Sequence, residues 1–429
     1  MTTEHCIILA DAPEPLTELC GISILERLLR TLQRCGLKQA FVLSNTPEAI
    51  RQELNKPSWA RAGLNVIVRA RAAGPVLVKD IINLWPGDIP CSLVIPADAV
   101  YDERLLQLVA SHDASAALVD SAVSPETQPL VASRPATNRG KLCGPVILER
   151  IWALSQTEAL QEQLCIGVNE NSLAALDVAS VPCYSASLRR TQQPYWFPAP
   201  SPDHAKLAKR VLLGSIQKGA LDLPAIFHGP IETAIVFKLC RTSLTPNQLT
   251  ILTNIVAWSA TIFFATGRLG CGLVLALVVG ILDGLDGKLA RLKVETTPRG
   301  KLEHWFDTIF EVSWWIALAW HFQRSSELPN AFWYLLLLLG AEVIDLAAKG
   351  SVLFTYGRLI DELSRFDRAV RLLGGRRNIY VWILTIGFLL GNAPGAFALM
   401  AWWEAATALV HVVRAIFAIS FRQKRAARA

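Results

Sequence analysis

Seven residues of this chain have the types and spacing to do chemistry together. Asp283, Asp286, Gly287, Ala290 and Arg291 spell D-x-x-D-G-x-x-A-R at the C-terminal end of an apolar stretch, GCGLVLALVVGILDGLDGKLAR, and Glu303 and Asp307 head the next apolar stretch. A carboxylate costs roughly 2.5–3.5 kcal/mol at the centre of a membrane helix and less near its ends. Two acidic pairs on consecutive apolar helices therefore need a counter-charge. Asp283 and Asp286 are three apart, and Glu303 and Asp307 are four apart. Each pair shares one helix face, and Glu311 continues the second. Hard oxygen ligands in that number suit Mg2+, Mn2+ or Ca2+. Gly287 and Ala290 leave room beside a metal, and the planar fork of Arg291 can hold a phosphate. Metal, small residues and arginine in one place are the equipment of phosphoryl transfer, where positioning and charge neutralisation supply most of the catalysis. The bland alternative is a set of helix-end charges at a membrane surface. Four acids at helical spacing beside G-x-x-A-R weigh against it.

The elements that must position these residues are long apolar segments near 246–267, 270–290, 302–322, 331–350, 379–393 and 396–420. All but the fifth approach the roughly 20 residues that span hydrocarbon. The fifth does so only with Tyr380 and Trp382 counted as interface residues. The 288–301 loop carries Lys288, Arg291, Lys293, Arg299 and Lys301, the 351–378 loop is arginine-rich, and the tail after 420 is basic. The opposite loops carry only Arg268 and Arg324. This asymmetry predicts an even number of spans with both termini inside. Both acidic pairs then lie at the cytoplasmic ends of the second and third spans, joined by a short loop. The expected C-terminal fold is an all-α polytopic bundle of six transmembrane helices over 246–420, followed by a basic cytoplasmic tail, 421–429.

The rest of the chain reads differently. Of 429 residues 52% are apolar, with a mean hydropathy of +0.34, and most of the apolar runs lie after residue 245. Before it, CIILAD (6–11), FVLSN (41–45), NVIVRA (65–70), SLVIPAD (92–98) and AALVDS (116–121) read as buried strands. ISILERLLRTLQRCG (22–36) and DERLLQLVASH (102–112) read as helices. Such alternation predicts an α/β domain over 1–200 with a mostly parallel sheet covered on both faces. Pro and Ser near 185–203 suggest a linker. Residues 201–245 mix Lys and Arg with aliphatics, as a linker with juxtamembrane amphipathic helices would. The nine cysteines form no C-x-x-C, which fits a reducing compartment. No signal peptide is expected. The net charge of +6 is modest, and its basic residues cluster between apolar runs. The expected partner is a lipid bilayer and no nucleic acid.

DGLDGKLARLKVETTPRGKLEHWFD resembles the signature of the CDP-alcohol phosphatidyltransferase family, D-x-x-D-G-x-x-A-R followed by G-x-x-x-D-x-x-x-D. SLTPNQLT (243–250) resembles the P-N-x-x-T start of that family's first span. The resemblance covers roughly 205–420. It implies six spans in the cell (inner) membrane, a cytoplasm-facing site with two divalent metals, Mg2+ or Mn2+, and a homodimer. It implies Asp283, Asp286, Glu303 and Asp307 as metal ligands, with Asp307 also the base that activates the acceptor hydroxyl. Asn247, Gly287, Ala290 and Arg291 would contact a CDP-alcohol donor. GRRNIYVWIL (375–384) resembles the Arg-rich start of the fifth span, where Arg376 and Arg377 would hold the phosphate of an inositol or polyol phosphate acceptor. Two positions depart from the pattern: the third acid is Glu303 rather than Asp, and Gly300 precedes it by three residues rather than four.

The N-terminal half resembles a nucleotidyltransferase domain. Its place ahead of the membrane domain is the layout of the bifunctional inositol-1-phosphate cytidylyltransferase and di-inositol-phosphate-phosphate synthases. ADAVYDERLLQLV (97–109) resembles that domain's metal-binding segment, with Asp98 as the matching acid. The Gly-rich nucleotide loop does not match, since APEPLTELCG stands in its place, and VASVPCYSASLRR (178–190) lacks the second acid. The expectation is a retained fold with lost or weakened cytidylyltransferase activity. Two alternatives remain open: a bifunctional enzyme that keeps this activity, and a non-catalytic membrane scaffold of two degenerate domains.

Overall fold

The computed structural model describes residues 4–87, 89–219, 222–295 and 303–426, apart from the side chains of 303–306 and 421–426. It divides into two units. The first comprises 1–217 with 240–242 and 291–295, and the second the remainder.

In the first unit a sheet is built on β1 (His5–Leu9), β2 (Gln39–Ser44), β3 (Asn65–Ala70), β4 (Cys91–Pro96), β5 (Ala116–Asp120), β6 (Gly140–Glu149) and β7 (Ala174–Asp177). Their spatial order is β7-β5-β6-β4-β1-β2-β3. All neighbours are parallel except β6, which runs antiparallel to both β4 and β5. The expected strands are therefore present, and Gly140–Glu149 supplies the antiparallel member. Ile7 of β1 packs in a core with Val94, Val119 and Val146 under α3 (Val78–Ile82) and α6 (Leu160–Asn169). Cys6 and Ile8 point to the other side and are equally buried, so both faces are covered. Helix α1 (Ile24–Arg34) starts where the Ser23 side chain accepts from the Glu26 amide at 3.1 Å. It buries Leu25, Leu28, Leu29 and Leu32 on the i, i+3, i+4, i+7 spacing. Helix α4 (Glu103–Ala110) is capped likewise by Asp102.

Residues 185–203 differ from the expected linker. Trp196–Pro198 pairs antiparallel with Ala99–Tyr101, and Trp196 and Phe197 are buried. Two large aromatics in a Pro-rich segment outweigh its turn-forming composition, because their burial contributes roughly 1.5–3 kcal/mol each. Helix α7 (Ala205–Ser215) closes this unit.

In the second unit α8 (Leu223–Leu239) precedes six helices: α9 (Pro246–Ala265), α10 (Leu269–Leu292), α11 (Glu303–Arg324), α12 (Ala331–Tyr356), α14 (Arg377–Leu389) and α15 (Ala393–Ala426). A short α13 (Arg365–Leu373) lies between α12 and α14. The six coincide with the six expected apolar segments. Among the described residues four of them, α9, α10, α12 and α15, are long and apolar enough to cross a membrane. Their core alternates small and large residues. Ala257, Ala260 and Ala276 let helices approach, and Phe264, Phe310, Trp314 and Trp315 fill the space between them. Edge-on rings run from Phe264 through Trp314 and Trp315 to Tyr380. Trp314 also donates its indole N–H to the Ala257 carbonyl at 2.8 Å. Polar pairs are buried here too, since Asp345 of α12 accepts from both Lys349 and His411.

Candidate active site

The T-P-N-Q stretch makes a strong helix start. Thr245 caps α9, Pro246 takes its first position, and Gln248 returns a bond to the Thr245 amide at 3.0 Å. This fixes the phase of α9, so that Thr250 meets α10. Its hydroxyl donates to Asp286 Oδ2 at 2.8 Å. Asn247, one position after the proline, is exposed.

On α10, Asp283 and Asp286 share a face as their spacing requires. Asp283 Oδ2 accepts from the Arg377 guanidinium at 2.6 Å. Arg377 opens α14 and also lies 5.2 Å from the centre of the Phe310 ring. It is faced not by Asp283 alone but also by Glu311 and Asp307 of α11. Glu311 in turn faces Asp283, Asp307 and Glu342. Two helices, α10 and α11, thus direct carboxylates toward one guanidinium. Arg376 is half-buried beside it, and its guanidinium makes no ion pair among the described residues. Asn378, next along α14, donates to Asp222 at 3.1 Å.

Gly287 and Ala290 lie on the same helix as the two aspartates. Arg291 is grouped with the first unit, where its Nε donates to the Ile216 carbonyl at 2.7 Å. Gly300 and the Glu303 side chain lie outside the described residues, so the proposed third ligand has no described geometry. Among the described residues no group of three His, Cys, Asp or Glu side chains is arranged to hold one ion. The donor chemistry fits a divalent cation nonetheless. The acids offer hard oxygens, and a guanidinium already acts as their counter-cation.

The sequence reading passed over two neighbours of the motif. Lys288 is buried and fully satisfied, donating to the Gly229 carbonyl at 3.0 Å and Thr233 at 3.2 Å and pairing with Glu232 at 2.9 Å. A Cβ on Gly284 would meet the Glu232 carboxylate within 2.4–2.6 Å. Helix α8 therefore packs against the motif helix, and Pro224, His228, Gly229, Glu232 and Val236 are its buried residues. An acid and a glycine-proline pair inside an apolar helix were the available signal.

In the first unit, Asp11 and Asp98 follow β1 and β4, where the strand order switches from one side of β1 to the other. Ligands of open α/β sheets bind outside such a point. A cleft of about 570 Å³ lies there, lined by Asp11, Glu14, Asp98, Arg134, Gln161 and apolar residues including Val94 and Leu142. Asp98 Oδ1 is paired with Arg134 at 2.7 Å. Burial works against the charged form of Arg134, but Tyr101 and Asp98 hold its guanidinium protonated. Asp11 is held by Arg71 and by the Asn45 amide.

Residues 243–410 match the CDP-alcohol phosphatidyltransferase family. The chain is 25% identical over 435 residues to a bifunctional IPC transferase and DIPP synthase of Rubrobacter xylanophilus, covering 91% of this chain and 88% of that protein. It is 28% identical over 260 residues to the protein of the same name from Aquifex aeolicus, covering 60% of this chain and 56% of that protein. Among solved structures it is similar to the inositol-1-phosphate CTP transferase of T. maritima, with 13% identity, TM-score 0.37, and coverage of 49% of this chain and 96% of that one. It is also similar to the Mycobacterium tuberculosis phosphatidylinositol phosphate synthase, with 21% identity, TM-score 0.34, and coverage of 44% and 92%. The family match takes in Asp283, Asp286 and Asp307 together with the helices that carry them, so residues 243–410 are similar to a CDP-alcohol phosphatidyltransferase domain, and with the transferase relatives this makes the protein a transferase.

Proposed function

We propose that the protein moves a phosphoalcohol, of phosphatidyl or inositol-phosphate type, from a CDP-linked donor to the hydroxyl of an inositol or polyol phosphate. The observation that carries this reading is the gathering of Asp283, Asp307 and Glu311 around Arg377, with Asp286 held by Thr250 on the same helix as Asp283. Asp307 takes the proton of the acceptor hydroxyl as that oxygen attacks the donor phosphorus. The phosphorus–oxygen bond to CMP breaks, and CMP leaves with its electron pair. Two divalent cations, Mg2+ or Mn2+, held by Asp283, Asp286, Glu303 and Asp307, would neutralise the pyrophosphate. Asn247, Gly287, Ala290 and Arg291 line the donor side. Arg376 and Arg377 offer guanidinium groups to the acceptor phosphate. The four long apolar helices α9, α10, α12 and α15, together with α11 and the shorter α14, cross the inner membrane, with both termini and the site in the cytoplasm.

The first unit is a nucleotidyltransferase-like domain without its former chemistry. The acid at its switch point, Asp98, is neutralised by Arg134, and no glycine-rich turn follows β1. Alignment with the Rubrobacter protein across both halves of the chain supports the kinship of this unit with nucleotidyltransferase domains, while the loss of chemistry rests on Asp98 and the missing turn.

The test is mass spectrometry of products from membranes incubated with labelled CDP-alcohols and a panel of polyol phosphates. CMP and a new phosphodiester are expected, both lost in Asp307→Asn and on chelation of divalent metal. Absence of CMP release from every CDP-alcohol, or an unimpaired Asp307→Asn, overturns the reading. The full chain should release no pyrophosphate from CTP with an inositol or sugar phosphate.

A further inference from the structure

The first unit contains a second cavity, of about 910 Å³, that shares no lining residue with the cleft at Asp98. Its walls are the end of β5 with the chain after it, the segment 183–196, and α7. Its charged groups, Asp120, Glu126, Arg190 and Arg210, are unequal, and Glu126 is exposed to solvent. Asp120 is satisfied, since Oδ2 accepts from the Trp196 indole at 2.8 Å and Oδ1 from the Ala122 amide at 3.1 Å. Arg190 is not. One terminal nitrogen donates to the Gly214 carbonyl at 3.0 Å, its Nε is buried without a partner, and no carboxylate pairs with it among the described residues. Gln192 Oε1 is also buried and unpartnered. Arg210 stands exposed at the rim and makes no ion pair among the described residues. Tyr195 and Pro194 add flat apolar surface.

Buried polar groups in folded proteins nearly always have partners, and a half-buried cation without a counter-charge is disfavoured. Burial works against the charged form of Arg190 accordingly. A ligand that repairs both defects must bring anionic oxygens to the guanidinium and a donor to Gln192. Planar guanidinium groups match phosphate in two-point geometry. The cavity volume lies in the range of small-molecule sites. We propose that this cavity binds a phosphate monoester, with its phosphate held by Arg190 and Arg210 and a hydroxyl or amino group of its body donating to Gln192 Oε1. Nucleoside monophosphates, polyol phosphates and phosphorylated lipid headgroups share that chemistry. No metal is required, because the cations are built in.

Hydrogen–deuterium exchange on the full chain in detergent, with EDTA present, tests this by location. The probes are inorganic phosphate, CMP, inositol 1-phosphate and nanodiscs containing phosphatidic acid. At least one organic phosphate should slow exchange in 183–196 and in α7, and inorganic phosphate should do so more weakly. Arg190→Gln should weaken the protecting ligand about tenfold or more, as loss of a charge-assisted hydrogen bond predicts. Exchange of β1 and β4 should stay unchanged, which reports that the variant is folded. Arg210→Gln, at an exposed position, should give a smaller loss in the same direction. Protection only with phosphatidic acid assigns the headgroup as the source, and protection with CMP or inositol phosphate assigns a soluble ligand. No protection by any probe at millimolar concentration, or protection that survives Arg190→Gln with the core intact, overturns the proposal.

Discussion

Thr250→Val tests how the donor half of the site is held. The substitution keeps the side-chain shape and removes only the hydroxyl that donates to Asp286 Oδ2 at 2.8 Å. Thr250 also bonds back to the Pro246 carbonyl at 3.3 Å, a long contact that contributes little. The loss is therefore one hydrogen bond to a charged acceptor, about 1.5–3 kcal/mol. At 1.4 kcal/mol per decade, this corresponds to roughly 10- to 150-fold. Groups that orient metal ligands typically cost 10–100-fold when removed, so two independent routes agree on the size. The assay is CMP release from membranes as a function of Mg2+ concentration, with thermal stability measured at the same concentrations. Thr250→Val should shift both midpoints to higher Mg2+ by tens of fold, and Thr250→Ser should restore them. A merely structural role would lower stability without moving the Mg2+ midpoint. If Thr250→Val keeps the wild-type Mg2+ dependence, Asp286 is not positioned by this bond and the reasoning fails.

Gly284→Ala would place a Cβ within 2.4–2.6 Å of the Glu232 carboxylate and push it from buried Lys288. Breaking a buried pair costs about 3–5 kcal/mol, so the melting temperature in detergent should fall clearly, and an unchanged value refutes the contact. Trp196→Phe leaves Asp120 Oδ2 without its indole donor. The first unit should open more easily by about 1–3 kcal/mol in native-state hydrogen exchange, with the protection of α9–α15 unaffected. Cys240 lies between α8 and α9, and its thiol is held down to about 7 by a hydrogen bond from Cys20, against burial, with help from Arg241, Lys293 and Arg27. A depressed value means the thiolate persists to lower pH. The alkylation rate of Cys240 should therefore rise with a midpoint near 7. Mass spectrometry of the labelled peptide across pH reads that midpoint, and a value at or above the ordinary thiol pKa of about 8.5 refutes the prediction.

Several features were legible because they depend on neighbours in the chain. The strands at 5–9, 39–44, 65–70, 91–96 and 116–120 are apolar runs between turn residues. The helix phases of Asp283 with Asp286, and of Asp307 with Glu311, follow from 3.6 residues per turn. The start of α9 follows from a Thr-Pro-Asn-Gln cap. Residues 185–203 were not legible. Their composition is that of a turn, and only pairing with Ala99–Tyr101, 95 to 99 positions earlier, makes part of them a strand. The packing of α8 was not legible for the same reason, since Glu232 looks like a surface charge until Lys288, 56 residues later, is seen to face it.

By itself the sequence determined which residue types share which helix face, and so where the proposed site of carboxylates, small residues and arginines is to be sought. Tertiary structure alone decided the partners. Asp283 meets Arg377 from 94 positions later, Asp286 meets Thr250 from 36 earlier, and Asp98 meets Arg134 from 36 later. Periodicity fixes the direction of a side chain about its own helix axis. Which charge it faces depends on how separate helices and strands rotate and pack, and that is set by the volumes of apolar residues such as Trp314 and Ala257 rather than by the charges themselves.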